Sequence, residues 1–138
     1  MISQSADQTI KYAQKFARKL KGGEIIGLIG ELGSGKTTFA KGLAQGLGIK
    51  EPITSPTFVM LKEYRIPKAN QPTLVHVDAY RVENLDDIKS VGIEDYFNRN
   101  DTILIIEWAE RIKKILPKNT LYIGFKHKSE REREINLE

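Results

Sequence analysis

The sequence predicts an α/β fold with a mostly parallel central sheet, flanked by helices and closed by an antiparallel edge or hairpin near the C-terminus. Three observations carry this expectation. Segments with helical apolar spacing alternate with short apolar runs. The run Thr102 to Glu107 (Thr-Ile-Leu-Ile-Ile-Glu) is continuous rather than alternating, the mark of a strand covered on both faces. A glycine-rich turn, residues 30–37, lies between an apolar run and a helical segment.

The elements follow in chain order. Ser5 with Gln8 three residues later is a capping-box signal for a helix start. Ile10, Ala13, Phe16, Ala17 and Leu20 then recur at helical spacing, and Gly22-Gly23 stops the helix. Ile25 to Ile29 reads as a buried strand running into the glycine turn. Thr37 to Leu47 returns to helical spacing and ends at Gly48. Thr57 to Tyr64 reads as an outer strand, followed by the proline-bounded loop from Pro67 to Pro72. Thr73 to Asp78 is a second strand with Leu74, His76 and Asp78 on one face. Leu85 to Phe97 suggests short helical pieces, and Ala109 to Leu116 a helix stopped by Pro117. Leu121 to Phe125 and Arg133 to Leu137 alternate, as a hairpin or edge strands would.

At 138 residues the chain is the size of one domain, read here as residues 1–138 around one core. With 40% apolar and 29% charged residues it has the balance of an ordinary globular protein, which excludes a disordered chain. The absence of cysteine excludes disulfides, thiolate metal sites and a catalytic thiol. Charged residues interrupt the first twenty positions, so no signal-peptide core is expected there, and the apolar runs are too short to span a bilayer. The expectation is a cytoplasmic protein that does not engage membranes. A net charge of +4 attracts phosphate-rich partners without identifying one.

The string Gly30-Glu31-Leu32-Gly33-Ser34-Gly35-Lys36-Thr37 meets the pattern Gly-x-x-x-x-Gly-Lys-Thr. A polyphosphate is highly anionic, and a tight glycine-rich turn can aim successive backbone N–H groups at it. The helix that follows adds its positive end and its unpaired N–H groups. A chance match in a chain this long is expected on the order of once in a few hundred. The nucleotide-binding stretch is therefore read as Glu31, Leu32, Gly33, Ser34, Gly35, Lys36, Thr37 and Thr38. Lys36 is expected to reach the β- and γ-phosphates and the Thr37 hydroxyl to ligate Mg²⁺. This makes the expected fold a P-loop NTPase.

The guanine-reading strings Asp-x-x-Gly after the second strand and Asn-Lys-x-Asp are absent, which favours ATP. Such a site needs an acid at the end of a neighbouring strand. Asp78 closes Leu74-Val75-His76-Val77, and Glu107 closes Ile103-Leu104-Ile105-Ile106. One would hold Mg²⁺ and the other orient the attacking water, or one would only close its strand. Lys36, Asp78 and Glu107 are thus the candidate catalytic residues. Ser55-Pro56-Thr57 stands where switch-type loops present hydroxyls, although the same string is ordinary turn chemistry. His76 reads as a packed core histidine, Trp108 as a buried aromatic, and Arg81 and Arg131 as surface cations able to meet phosphate.

The ordered strings Gly-Glu-Leu-Gly-Ser-Gly-Lys-Thr (30–37), Ser-Pro-Thr-Phe (55–58), His-Val-Asp-Ala-Tyr-Arg (76–81) and Ile-Glu-Trp (106–108) together resemble the TsaE (YjeE) family. That is the ATPase of bacterial tRNA threonylcarbamoyladenosine biosynthesis. The resemblance runs from about Thr9 to the last strand. It implies ATP with Mg²⁺ and action beside the TsaB–TsaD pair, with tRNA met only indirectly through that complex. TsaD transfers a threonylcarbamoyl group to the adenosine just 3′ of the anticodon in tRNAs reading codons that begin with A. The TsaE component hydrolyses ATP slowly alone and resets the complex between turnovers. Carried across, Thr37 and Glu107 match the magnesium positions, Gly33 to Thr37 the nucleotide loop, Asp78 an acid important for hydrolysis, and Arg131 a C-terminal nucleotide contact. Ala109 departs from the proline usual after Glu-Trp.

Two other readings compete. A small-molecule or nucleoside kinase would share the fold but needs an acceptor pocket and an arginine-bearing lid. The stretch between Asp78 and Glu107 offers Arg81 and Arg99 but little length for both. A nucleic-acid module would use Lys11, Lys15 and Arg18 along the first helix, a pattern that a solvated face explains equally well.

Overall fold

Ser5 starts the first helix, α1 (Ala6–Ala17), from extended backbone, and its hydroxyl accepts from the Gln8 N–H at 3.1 Å. Only half of the expected capping box forms, because the Gln8 side chain accepts from the Gln4 N–H at 2.7 Å instead. The computed structural model describes residues 1–54, 60–68 and 72–138. In order, these form β1 (Ile2–Ser3), α1, β2 (Ile25–Gly30), α2 (Lys36–Gly46), β3 (Leu61–Arg65), β4 (Thr73–Asp78), α3 (Leu85–Lys89), β5 (Thr102–Glu107), β6 (Leu121–His127) and β7 (Arg133–Leu137).

The strands make one sheet in the order β1-β7-β6-β2-β5-β4-β3. The central four, β6, β2, β5 and β4, run parallel. β3 is antiparallel to β4, and β7 to β6, so the expected C-terminal hairpin is present. The short β1 adds to β7 and was not legible in the sequence, since two residues carry no period. The other departures are local. Ala109 to Leu116 forms two 3-10 turns, Ala109–Arg111 and Lys113–Ile115, because Ile112 leaves helical geometry between them. Ala109, Ile112 and Leu116 are still buried, so the apolar spacing was right while the helix type was not. Residues 57–59 of the expected outer strand lie outside the described residues, as does Ser55-Pro56-Thr57. Among the described residues no helix is long and apolar enough to cross a membrane.

Strand alternation divides the core in two. Ile26, Leu28, Leu74, Ile103 and Ile105 face α1 and α2. Val75, Val77, Leu104 and Ile106 face α3 and the 3-10 turns. Both faces of β5 are covered, as its continuous apolar run requires. On the first face α2 lies against α1 through small residues. A Cβ on Gly42 would stand 2.7 Å from the Ile10 carbonyl oxygen and 2.8 Å from the Ala13 Cβ. Gly46 meets Gln14 and Ala17 in the same way one turn later. These glycines let two backbones approach closely, and that sets the height of α2 over the sheet.

Gly42→Ala is therefore expected to cost about 1–3 kcal/mol through overpacking, read as a lowered thermal midpoint. Gly124→Ala is the contrast: its Cβ would meet only the Glu138 side chain, at 2.5 Å, which can swing away. Equal losses in the two variants would contradict the account of the helix pair.

Candidate functional site

β2 ends at Gly30, and the chain turns through residues 31–35 into α2. Gly33 at φ +74 and Gly35 at φ +108 take the left-handed region that side chains resist. Gly35 is also the N-cap of α2 and offers no side-chain cap to the first turn. The N–H groups there stay free for a ligand, beside the positive end of the helix.

Lys36 is 4% exposed, and its ammonium is folded back onto the loop. It donates to the carbonyls of Gly30 at 2.5 Å and Glu31 at 2.8 Å, and to Ser34 Oγ at 3.4 Å. Trp108 lies beneath it, with the ring centroid 4.0 Å from Nζ. Burial lowers the Lys36 pKa below the usual lysine range, while Glu110, Glu107, Asp78 and Glu31 pull it back. A partly desolvated cation of this kind gains more from an incoming anion than one in bulk water.

The parallel pairing of β4 and β5 sets Asp78 opposite Glu107 at one rim of the sheet. Glu107 is 2% exposed, yet both carboxylate oxygens are partnered. Thr37 Oγ1 donates to Oε1 at 2.5 Å, and His76 Nε2 lies 2.6 Å from Oε2. Asp78 is half-buried and accepts from the Tyr80 N–H at 3.0 Å. Burial raises its pKa, with the backbone bond to Tyr80 opposing and Glu107 reinforcing.

A cleft of about 220 Å³ opens over the loop. It brings together Leu32, Gly33, Gly35, Lys36, Thr37, Thr38, Glu107 and Arg131 from the sequence-predicted set. Three predicted residues lie elsewhere. Glu31 is exposed and turns its carbonyl to Lys36, Ser34 is buried beneath the loop, and Asp78 adjoins Glu107 without lining the cleft. Sequence reasoning missed Arg133, which lines the cleft two residues beyond Arg131. A run of charges from 130 to 134 fixes no register, so nothing in it singled out Arg133. Ser5, Ala6 and Thr9 from the start of α1 also line the cleft, and only the sheet and helix packing brings them there. Glu110 was missed as well; its Oε2 accepts from the Gly30 N–H at 3.3 Å. Trp108 is half-buried rather than core. It stacks on Tyr80 at 5.0 Å between centroids, with Arg111 over both rings.

Trp108 is the only tryptophan, so its emission reports the Lys36 contact. Lys36→Ala should change the tryptophan emission of the ligand-free protein, and an unchanged spectrum would mean that this contact is not populated in solution.

Comparison with known proteins bears on this geometry. The family model described as threonylcarbamoyl adenosine biosynthesis protein TsaE matches residues 3–135. The chain is 38% identical to the tRNA threonylcarbamoyladenosine biosynthesis protein TsaE of Treponema pallidum, over 99% of this chain and 97% of that protein. It is 39% identical to the protein of the same name from Bacillus subtilis, over 95% of this chain and 79% of its relative. Among solved structures, Bacillus subtilis YdiB superposes with a TM-score of 0.74 at 34% identity, over 99% of this chain and 82% of that one. With a matching family model across nearly its whole length and relatives of this closeness, the chain belongs to the TsaE family.

Proposed function

We propose that this chain is a Mg²⁺-dependent ATPase that supports threonylcarbamoylation of the adenosine 3′ of the anticodon, in tRNAs reading codons that begin with A. It acts in complex with TsaB and TsaD and meets tRNA through them. Family membership supports the pathway. The observation that carries the ATPase part is the bond of 2.5 Å between Thr37 Oγ1, at the start of α2, and the carboxylate of Glu107 at the end of β5.

The residues present suit a magnesium ion. Mg²⁺ prefers hard oxygen ligands, and takes one or two protein groups together with phosphate oxygens and waters. Thr37 Oγ1 and Glu107 Oε1 form such a pair at the mouth of the phosphate loop. When bound there, the ion would offset charge developing on the transferred phosphoryl group.

The chain's own residues supply the rest. The N–H groups of Gly33 and of residues 35–38 cradle the β- and γ-phosphates. Lys36 leaves the Gly30 and Glu31 carbonyls to place its ammonium between those phosphates. Asp78, opposite Glu107 in the sheet, orients the attacking water and accepts a hydrogen bond from it. Arg131 and Arg133 close the cleft on the nucleotide side. A cytoplasmic location agrees with a cysteine-free chain and with tRNA as the final target.

The test is phosphate release from ATP and Mg²⁺, by the chain alone and with its cognate TsaB–TsaD pair. A weak basal rate that rises with the pair is expected. A rate indifferent to the pair would overturn the partner assignment, and phosphate transfer to an added acceptor would favour a kinase. Lys36→Ala should lower release by about 10²-fold or more, as loss of a preorganised charge does. Asp78→Asn should lower turnover while leaving nucleotide binding within about twofold of wild type, because binding shared by ground and transition states is retained.

A further inference from the structure

His76 is not accounted for by the nucleotide loop, and its setting is unusual. It sits mid-strand on β4, on the face that carries Leu74, and is paired with Ile105 of β5. Its neighbours Leu74, Ile103 and Ile105 on that face are apolar, and the imidazole is 0% exposed. Nδ1 has no hydrogen-bond partner among the described residues. Burying an imidazole with one nitrogen unpaired costs free energy, and an aliphatic side chain would avoid that cost. Among the described residues the ring makes a single hydrogen bond, Nε2 to Glu107 Oε2 at 2.6 Å. An ionised carboxylate only accepts, so the proton of this bond belongs to Nε2.

We infer that His76 is a positioning residue. Its Nε2–H holds Oε2 of Glu107, so that Oε1 stays turned toward Thr37 and the mouth of the phosphate loop. The three groups come from three elements, and their order is fixed by two bonds: β4 holds β5 through His76, and β5 meets α2 through Thr37. Without the imidazole, Glu107 keeps one partner and can rotate about its side-chain bonds. The ligand pair on the cleft is then no longer preorganised. His76 touches no phosphate and does not line the cleft. Its effect is therefore expected on Mg²⁺ and not on nucleotide held by the loop alone.

This inference rests on the Mg²⁺–ATP reading above, and the experiment separates the two. Calorimetry measures binding of a non-hydrolysable ATP analogue across a Mg²⁺ series, for wild type, His76→Gln, His76→Asn and His76→Leu. Glutamine places an amide donor near the position of Nε2, whereas asparagine stops short of it. The half-saturating Mg²⁺ concentration is expected to rise about 10–100-fold in His76→Leu and His76→Asn, the usual loss when a ligand's supporting partner is removed. His76→Gln should stay much closer to wild type, and Mg²⁺-free affinity should be alike in all four. A packing role alone would lower melting temperatures without separating Gln from Asn, so the Gln–Asn pair decides even if His76→Leu does not fold. Wild-type Mg²⁺ dependence in His76→Asn would overturn the inference and leave the ATPase reading standing. Absence of Mg²⁺-dependent binding in wild type would instead overturn that reading.

Discussion

A carboxylate at 2% exposure must be solvated by the protein itself, and Glu107 is the residue around which the site is arranged. An isolated buried charge costs far more than a domain of this size can tolerate, so donors have to be brought to it. The protein brings one from α2 and one from β4, to opposite oxygens of the same group. That requirement links three elements distant in sequence. It also explains why β4 and β5 must pair in one register, with Asp78 beside Glu107 and His76 one period back. A one-residue slip would turn His76 to the opposite face and leave the carboxylate short of a donor.

The height of α2 is set on its other side. Gly42 and Gly46 admit the backbone of α1, with Ala13 and Ala17 filling the space between. Phe39 closes the layer by packing edge-on against Phe125 of β6 and Phe16 of α1. Thr37 reaches Glu107 from this fixed platform. Packing at the middle of the helix pair thus governs geometry at the start of α2, and the same α1 brings Ser5 and Thr9 to the cleft wall.

Lys36 shows how the loop accommodates a buried cation. Three oxygen acceptors and the face of Trp108 replace the water that burial removes. Trp108 achieves this from a left-handed backbone at φ 59, a conformation costly for a bulky residue. The strain turns the chain sharply after β5 and lays the indole under the lysine. The exposed face of the stack, Tyr80 and Arg111, joins the lysine to the protein surface.

The sequence by itself determined the elements whose signals are local. The continuous run Thr102 to Glu107, the glycine-rich loop and its following helix, and the acids closing β4 and β5 all follow from period and residue type over a few positions. The C-terminal hairpin followed from alternation in the same way. Tertiary structure decided what depends on partners far along the chain. The two-residue β1 forms only because β7 offers it an edge. Residues 109–116 become 3-10 turns because a left-handed Trp108 precedes them and Ile112 interrupts them. Arg133 joins the site because the sheet order carries β6 and β7 alongside β2, and Trp108 and Glu110 because β5, which they follow, pairs with β2 on its other side. His76 reads along the strand as a core residue, and only the register with β5 gives its Nε2 a carboxylate to hold. Local periodicity fixes which face a side chain takes, whereas what it meets there is set by which strand lies next to it.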